Sequence, residues 1–266
     1  MNAPAAAAKT NLLAGRHALV TGGAQGIGAA VTRELLSHGA RVSIVGRNRD
    51  SLAKALRTLG DSDSLESAAA DVADPHAVAE AFNAAQKRFG AIHILVNCAG
   101  QAQSAPFLKT DGELWRRMMA VNLDGTFHCT QAALPGMVEA GWGRIVNIAS
   151  TAGLMGYAYV SAYCAAKHAV IGLTRAVALE TAAKGVTVNA VCPGYTETEM
   201  FEESVARIVA KTGRTQQAVR EQFAAHNPQK RLIQPEEVAN AVAWLCLPGS
   251  ESVTGQAIAV AGGEVM

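Results

Sequence analysis

Short apolar runs alternate with amphipathic stretches along most of the chain. HALVTG (17–22) is rich in β-formers and ends on glycine, the pattern of a buried parallel strand. IGAAVTRELLSHG (27–39) changes to an apolar spacing near 3.6 and stops on Gly39. The alternation then repeats. Further strands are expected at 41–46, 65–72, 92–100, 143–150, 186–194 and 255–263. Further helices are expected at 50–59, from Pro75 to about Phe89, at 112–140 with a break near Asn122–Gly125, at 161–184 and at 235–247. The more polar stretch 197–226 predicts two helices that end before Pro228. About seven strands alternating with helices predict an α/β fold: one parallel sheet covered by helices on both faces.

Length adds that one domain suffices, since the chain has 266 residues. Residues 1–12 are expected to be a disordered tail and 13–266 a single domain, with a substrate lid at about 195–228. Half the residues are hydrophobic, enough for a large core. The net charge of +1, with no block of like charge, argues against nucleic-acid or acidic-membrane partners. No apolar run approaches the length of a membrane span. The opening MNAPAAAAKTNLLAG lacks the charged front and apolar run of a signal peptide. Cys98, Cys129, Cys164, Cys192 and Cys246 are scattered without a CxxC pair, and the seven histidines show no ligand spacing. A cytoplasmic protein without a metal site is the expectation.

The first strand runs through Thr21-Gly22-Gly23-Ala24-Gln25-Gly26-Ile27-Gly28 into the first helix. Glycines there allow a tight turn and close approach to a pyrophosphate, and the helix N-terminus offers free N–H groups. Turns favour glycine anyway, and S-adenosylmethionine methyltransferases also have a glycine-rich first turn, so the position suggests a nucleotide without naming it. The second strand ends in Gly46-Arg47-Asn48-Arg49, with no acid for a ribose 2′-hydroxyl. Arg47 can meet a 2′-phosphate, which favours NADP(H) over NAD(H); its alternative is a solvated loop arginine.

TGGAQGIG (21–28), NCAG (97–100), Asn122, Ser150, YCAAK (163–167) and PGYTET (193–198) occur in order. Together they resemble the short-chain dehydrogenase/reductase family in its single-domain branch, from residue 14 to 263. The resemblance implies a Rossmann-type, doubly wound, seven-stranded sheet, a nicotinamide cofactor and a homotetramer. It implies that Gly22, Gln25, Gly26, Ile27 and Gly28 form the cofactor turn, with Arg47 and Asn48 beside the adenosine. Asp71 would bond the adenine, with Val72 supplying backbone. Asn97, Ala99 and Gly100 would lie against the adenosine ribose. Pro193, Gly194, Thr196 and Thr198 would hold the carboxamide and phosphates. Asn122, Ser150, Tyr163 and Lys167 would be the catalytic four. Two departures stand out. Gln25 occupies a place where NADP enzymes of the family often carry a cation, and the NNAG motif reads NCAG here.

The chemistry agrees with the resemblance. Reducing a ketone takes a hydride and a proton. A phenol is a weak acid–base at neutral pH, its ordinary pKa being about 10. Lys167 lies one helical turn from Tyr163, so its charge is expected to favour the phenolate. The bland reading of the pair, packing plus a snorkelling lysine, leaves both functional groups unused. Ser150 would polarise the carbonyl and Asn122 would hold a proton-relaying water. A serine hydrolase is excluded by the missing G-x-S-x-G elbow.

Gln101, Met155, Tyr157 and Tyr195, with Ser150, are the candidate substrate contacts. The stretch from IASTAG to AGGEVM is similar to β-ketoacyl-thioester reductases. The expected substrate is a small carbonyl or alcohol, first a 3-oxoacyl thioester on coenzyme A or a carrier protein. Lys109, Arg207, Lys211 and Arg214 are candidate contacts for such a partner. Oxidation of a secondary alcohol or a hydroxy acid such as 3-hydroxybutyrate is the enzymatic alternative. A non-catalytic cofactor-binding regulator is the alternative of another class.

Overall fold

A computed structural model describes residues 11–59 and 63–266. Most of the tail expected at 1–12 lies outside these residues. Asn11 and Leu12 belong instead to an anchored turn: Ala14 N–H donates to Asn11 O at 3.1 Å and Leu13 N–H to His38 O at 2.9 Å. Burial of the Leu13 side chain explains that anchoring.

Seven strands form one parallel sheet in the order β3-β2-β1-β4-β5-β6-β7. They are β1 (His17–Thr21), β2 (Arg41–Gly46), β3 (Leu65–Ala69), β4 (Ile94–Asn97), β5 (Gly143–Ile148), β6 (Val186–Pro193) and β7 (Ala257–Val260). Parallel strands buried on both faces favour apolar residues; β1, β4, β5 and β6 are buried at every position and mostly apolar, with polar residues such as His17, Arg144, Asn147 and Asn189 held by hydrogen bonds. One face packs on α1 (Gly26–Ser37), α2 (Arg49–Leu59) and α9 (Pro235–Cys246), through Val31, Leu35, Leu52, Val238 and Val242. The other packs on α3 (Pro75–Phe89), α5 (Gly125–Glu139) and α6 (Ser161–Thr181), through Val78, Phe82, Ala133, Met137 and Ala178. The chain reverses its winding between β1 and β4, so a crevice opens at their carboxyl ends.

The segment 112–140 departs from a plain helix. It runs as α4 (Gly112–Met119), a π-helical turn (Ala120–Asp124) and then α5. The fully buried Asn122 accounts for the turn. Its amide donates to Met118 O at 2.9 Å and to Gln101 O at 3.0 Å. Its Oδ1 accepts from Gln101 N–H at 3.2 Å. A side chain that joins the backbone ladder in this way widens the helix locally. The polar stretch folds as α7 (Glu199–Thr212) and α8 (Gln216–Ala224), which pack on each other through Phe201, Val205 and Val219.

Candidate active site

A cleft of about 450 Å³ lies along the carboxyl edge of the sheet. Its floor at one end is the glycine turn. A Cβ on Gly28 would stand 2.1 Å from Gly22 O, and one on Gly22 would stand 3.0 Å from Ala99 N. Only bare backbone lets strand, turn and helix close on each other there. Gln25 at the N-cap of α1 makes no side-chain cap and the first turn holds no acid. The amides of that turn are therefore left for an outside anion. Arg47, Asn48, Asp71 and Val72 line the same end. Arg47 lies 3.8 Å from Asp71 Oδ2. These residues fit a dinucleotide: amides for the pyrophosphate, a cation and a carboxylate for the adenosine.

The other half of the cleft holds the reactive groups. Asn122, Ser150, Tyr163 and Lys167 all line it, from the π turn, the end of β5 and the first two turns of α6. Ser150 Oγ caps a short turn by accepting from Ala152 N–H at 3.1 Å. Lys167 is buried, and its Nζ donates to Ile148 O at 2.8 Å. The ammonium stands 5.7 Å from the centroid of the Tyr163 ring. A Cβ on Gly100 would stand 2.9 Å from Asn122 Oδ1 and 3.7 Å from Lys167 Nζ, so a bare backbone lets the two approach. Burial pushes Tyr163 up to about 12, against a lowering hydrogen bond with Ser150. Burial pulls Lys167 down to about 8. Burial outweighs the Ser150 hydrogen bond, so the phenol of Tyr163 holds its proton.

The sequence model for short chain dehydrogenases matches residues 16–208. The chain belongs to the short-chain dehydrogenase family. A cis-4-hydroxycyclohexanecarboxylate dehydrogenase of Sinomonas cyclohexanicum is 42% identical over 251 residues, 93% of this chain and 96% of that one. A D-beta-hydroxybutyrate dehydrogenase of Cupriavidus necator is 37% identical over 256 residues, 96% of this chain and 99% of its own. A crystal structure of an actinorhodin polyketide ketoreductase variant with NADPH superposes with a TM-score of 0.90 at 37% identity, covering 94% of this chain and 97% of that one. The protein is an NAD(P)-dependent oxidoreductase of hydroxyl and ketone groups.

In this dehydrogenase most of the expected site residues share the one cleft. Gly22, Gln25, Gly26, Ile27, Gly28, Ala99, Gly100, Pro193, Gly194, Thr196 and Thr198 line it beside the residues already placed. So do Gln101, Tyr157 and Tyr195. Asn97 does not. Strand alternation turns its buried side chain with Leu95 toward α5, where it donates to Asn147 Oδ1 at 2.8 Å and Thr130 Oγ1 at 3.3 Å. Met155 does not either, because the 3₁₀ turn at Thr151–Gly153 carries it out to the surface, 41% exposed.

Sequence reasoning missed several contributors to the dehydrogenase site. Thr21 Oγ1 accepts from Cys98 N–H and Ala99 N–H, both at 3.0 Å, and ties the glycine turn to β4. Phe201, Ser204 and Phe223 bring α7 and α8 over the cleft. Glu264, near the C-terminus, accepts from the Tyr157 hydroxyl at 2.6 Å. Thr21 was visible inside the glycine motif, whereas no local pattern marks Glu264. Among the described residues, no three of His, Cys, Asp and Glu converge as metal ligands, and no helix is long and apolar enough to cross a membrane.

Proposed function

We propose that the protein reduces a 3-oxoacyl thioester to the 3-hydroxyacyl thioester, using NADP(H) in preference to NAD(H). The observation that carries the substrate reading is the course of the cleft beyond Ser150. Its lining there includes Tyr195, Phe201, Phe223 and Ser204. The exposed Arg207 donates to Ser204 Oγ at 2.9 Å. An apolar lining with a surface cation beside it suits an acyl chain carried on a phosphate-bearing thiol. Arg47, beside the adenosine end, supports the cofactor preference.

A nicotinamide cofactor supplies the hydride when bound. The chain supplies the rest. The Ser150 hydroxyl orients the carbonyl oxygen and polarises it. Tyr163 Oη gives its proton to that oxygen as the carbonyl carbon is reduced, and takes it back in oxidation. Lys167, held by Ile148 O, keeps a positive charge beneath the phenol. Asn122 braces the Gly100–Gln101 loop beside that lysine.

Oxidation of a hydroxy acid is the second reading, favoured by the hydroxybutyrate dehydrogenase relative. Kinetics with both cofactors on acetoacetyl-CoA, longer 3-oxoacyl thioesters, cyclic ketones and free hydroxy acids separate the two. The first reading expects kcat/KM to be highest for a thioester with NADPH. A best substrate among the free acids overturns it.

The proposal extends to assembly and setting. Phe127 on α5 and Leu179 on α6 are 42% and 83% exposed. Covering such faces with further copies gives a homotetramer. A stable monomer in sedimentation at micromolar concentration contradicts that. Five free thiols suit a reducing cytoplasm.

A further inference from the structure

Two loops that line the substrate half of the cleft meet on one carboxylate. Glu264 follows β7. Its Oε1 accepts from the Tyr157 hydroxyl, in the loop after β5. That hydroxyl also lies 2.8 Å from Thr151 Oγ1, next to Ser150. Since the phenol gives its single proton to the carboxylate, Thr151 is the donor in the second contact. Glu264 Oε2 lies where it would be 2.8 Å from a Cβ on Gly194, in the loop after β6. Tyr157 packs edge-on against Tyr195, with ring centroids 6.2 Å apart. Glu264 thus stands directly behind an aromatic wall that the substrate faces. Burial, followed by the Glu264 charge, raises the pKa of Tyr195.

No cation answers this charge from the cleft wall. Among the described residues, the cationic lining side chains are Arg47 and Lys167. Arg47 sits at the adenosine end beside Asp71. Lys167 is buried and directed at Ile148 O. A substrate carrying a carboxylate close to its reacting carbonyl would bring a second negative charge to this wall. At the half-buried Glu264 that repulsion is less screened than in open water.

We propose that Glu264 is a specificity-determining positioning residue. By its charge, behind the wall that Tyr157 and Tyr195 form, it selects carbonyl compounds that are uncharged near the carbonyl, such as thioesters and esters, over the corresponding free acids. The proposal rests on the thioester reading above and explains how the chain would enforce it. It makes Glu264 a filter on charge, while Tyr163 and Ser150 act on the carbonyl whatever is attached.

The test compares acid and ester forms of one carbonyl skeleton. Acetoacetate is paired with ethyl acetoacetate, and 4-oxocyclohexanecarboxylate with its methyl ester. Wild type is expected to show kcat/KM about tenfold or more in favour of the ester in each pair. Glu264→Gln keeps the shape and an acceptor for Tyr157 but removes the charge. It should shrink the ester preference about tenfold, chiefly by lowering KM for the acid. Tyr157→Phe leaves the charge in place and should retain the preference. A fault that merely loosened the loops would slow acid and ester alike and leave the ratio where it was. An unchanged ratio in Glu264→Gln, a ratio lost in Tyr157→Phe, or a wild type that prefers the acids overturns the proposal. If the acyclic pair is not turned over at all, the thioester reading fails, and the cyclic pair still decides the role of Glu264.

Discussion

Lys167 Nζ donates to the backbone oxygen of Ile148 at 2.8 Å while standing 5.7 Å from the centroid of the Tyr163 ring. The lysine is therefore moored to the end of β5, the strand that also delivers Ser150. One strand end sets the position of both the Ser150 hydroxyl and the Lys167 charge. Lys167→Met removes that charge and leaves Ile148 O without its donor. In alcohol oxidation, where Tyr163 must lose its proton, it should lower kcat by about 10²-fold. It should also move the rising limb of the pH–rate profile upward. A profile that stays in place would remove Lys167 from proton transfer.

Arg47 and Asp71 face each other at 3.8 Å, both well exposed. The pair is weak in itself, as exposed pairs are. Arg47→Ala should reduce the NADPH to NADH ratio of kcat/KM about tenfold or more, through KM for NADPH. An unchanged ratio would show that Arg47 does not read the 2′-phosphate.

Gly28 has no room for a side chain, because a Cβ there meets Gly22 O at 2.1 Å. Gly28→Ala must push α1 away from the turn. A loss of about 1–3 kcal/mol in stability is expected, with cofactor affinity falling further than stability alone explains. Denaturant unfolding and cofactor titration check the two parts separately.

His17 is fully buried at the start of β1, with Nδ1 2.9 Å from Gly90 O and Nε2 2.9 Å from Ser43 Oγ. Burial lowers its pKa from 6.5 to about 4, with the nearby His93 and Arg41 adding to the effect. The folded state thus resists a proton that the unfolded chain accepts. Its contribution is complete above about 6.5 and is lost as the pH falls toward about 4. That amounts to about 3 kcal/mol over the window. Urea unfolding at pH 7 and pH 4.5 should show wild type losing more stability than His17→Gln. Equal losses would contradict it.

Much of this architecture was legible in the chain. Every expected strand is present, within a few residues at its ends, because parallel strands buried on both faces leave short, largely apolar runs bounded by turn residues. The cleft was legible too, since the glycine turn, Ser150 and Tyr163 each carry a local pattern. What stayed hidden depends on direction and distance. Asn97 sits in a recognisable motif, but pleating sends its side chain to Asn147 and Thr130. Met155 follows Ser150 closely in the chain, yet a 3₁₀ turn intervenes and carries it away. Glu264 meets Tyr157 across 107 residues, through the return of β7 to the sheet edge. Helical spacing put Lys167 beside Tyr163 but gave no sign that burial would raise the pKa of the phenol.

Arg207 is exposed on α7 and touches Ser204 at the cleft mouth. Arg207→Glu should raise KM for acetoacetyl-CoA about tenfold at low salt, more than for ethyl acetoacetate. The difference should shrink at high ionic strength. Equal effects on both substrates would take the arginine away from the phosphate-bearing arm.

The central claim is that Tyr163 gives the proton that a substrate carbonyl takes up on reduction. Tyr163→Phe changes one oxygen and tests it most directly, with NADPH consumption and 3-hydroxy product measured together on an acetoacetyl thioester. Wild type should form one product per NADPH consumed, and the variant should lose about 10³-fold in kcat while binding NADPH within about threefold of wild type. A variant that turns over at the wild-type rate would contradict the account.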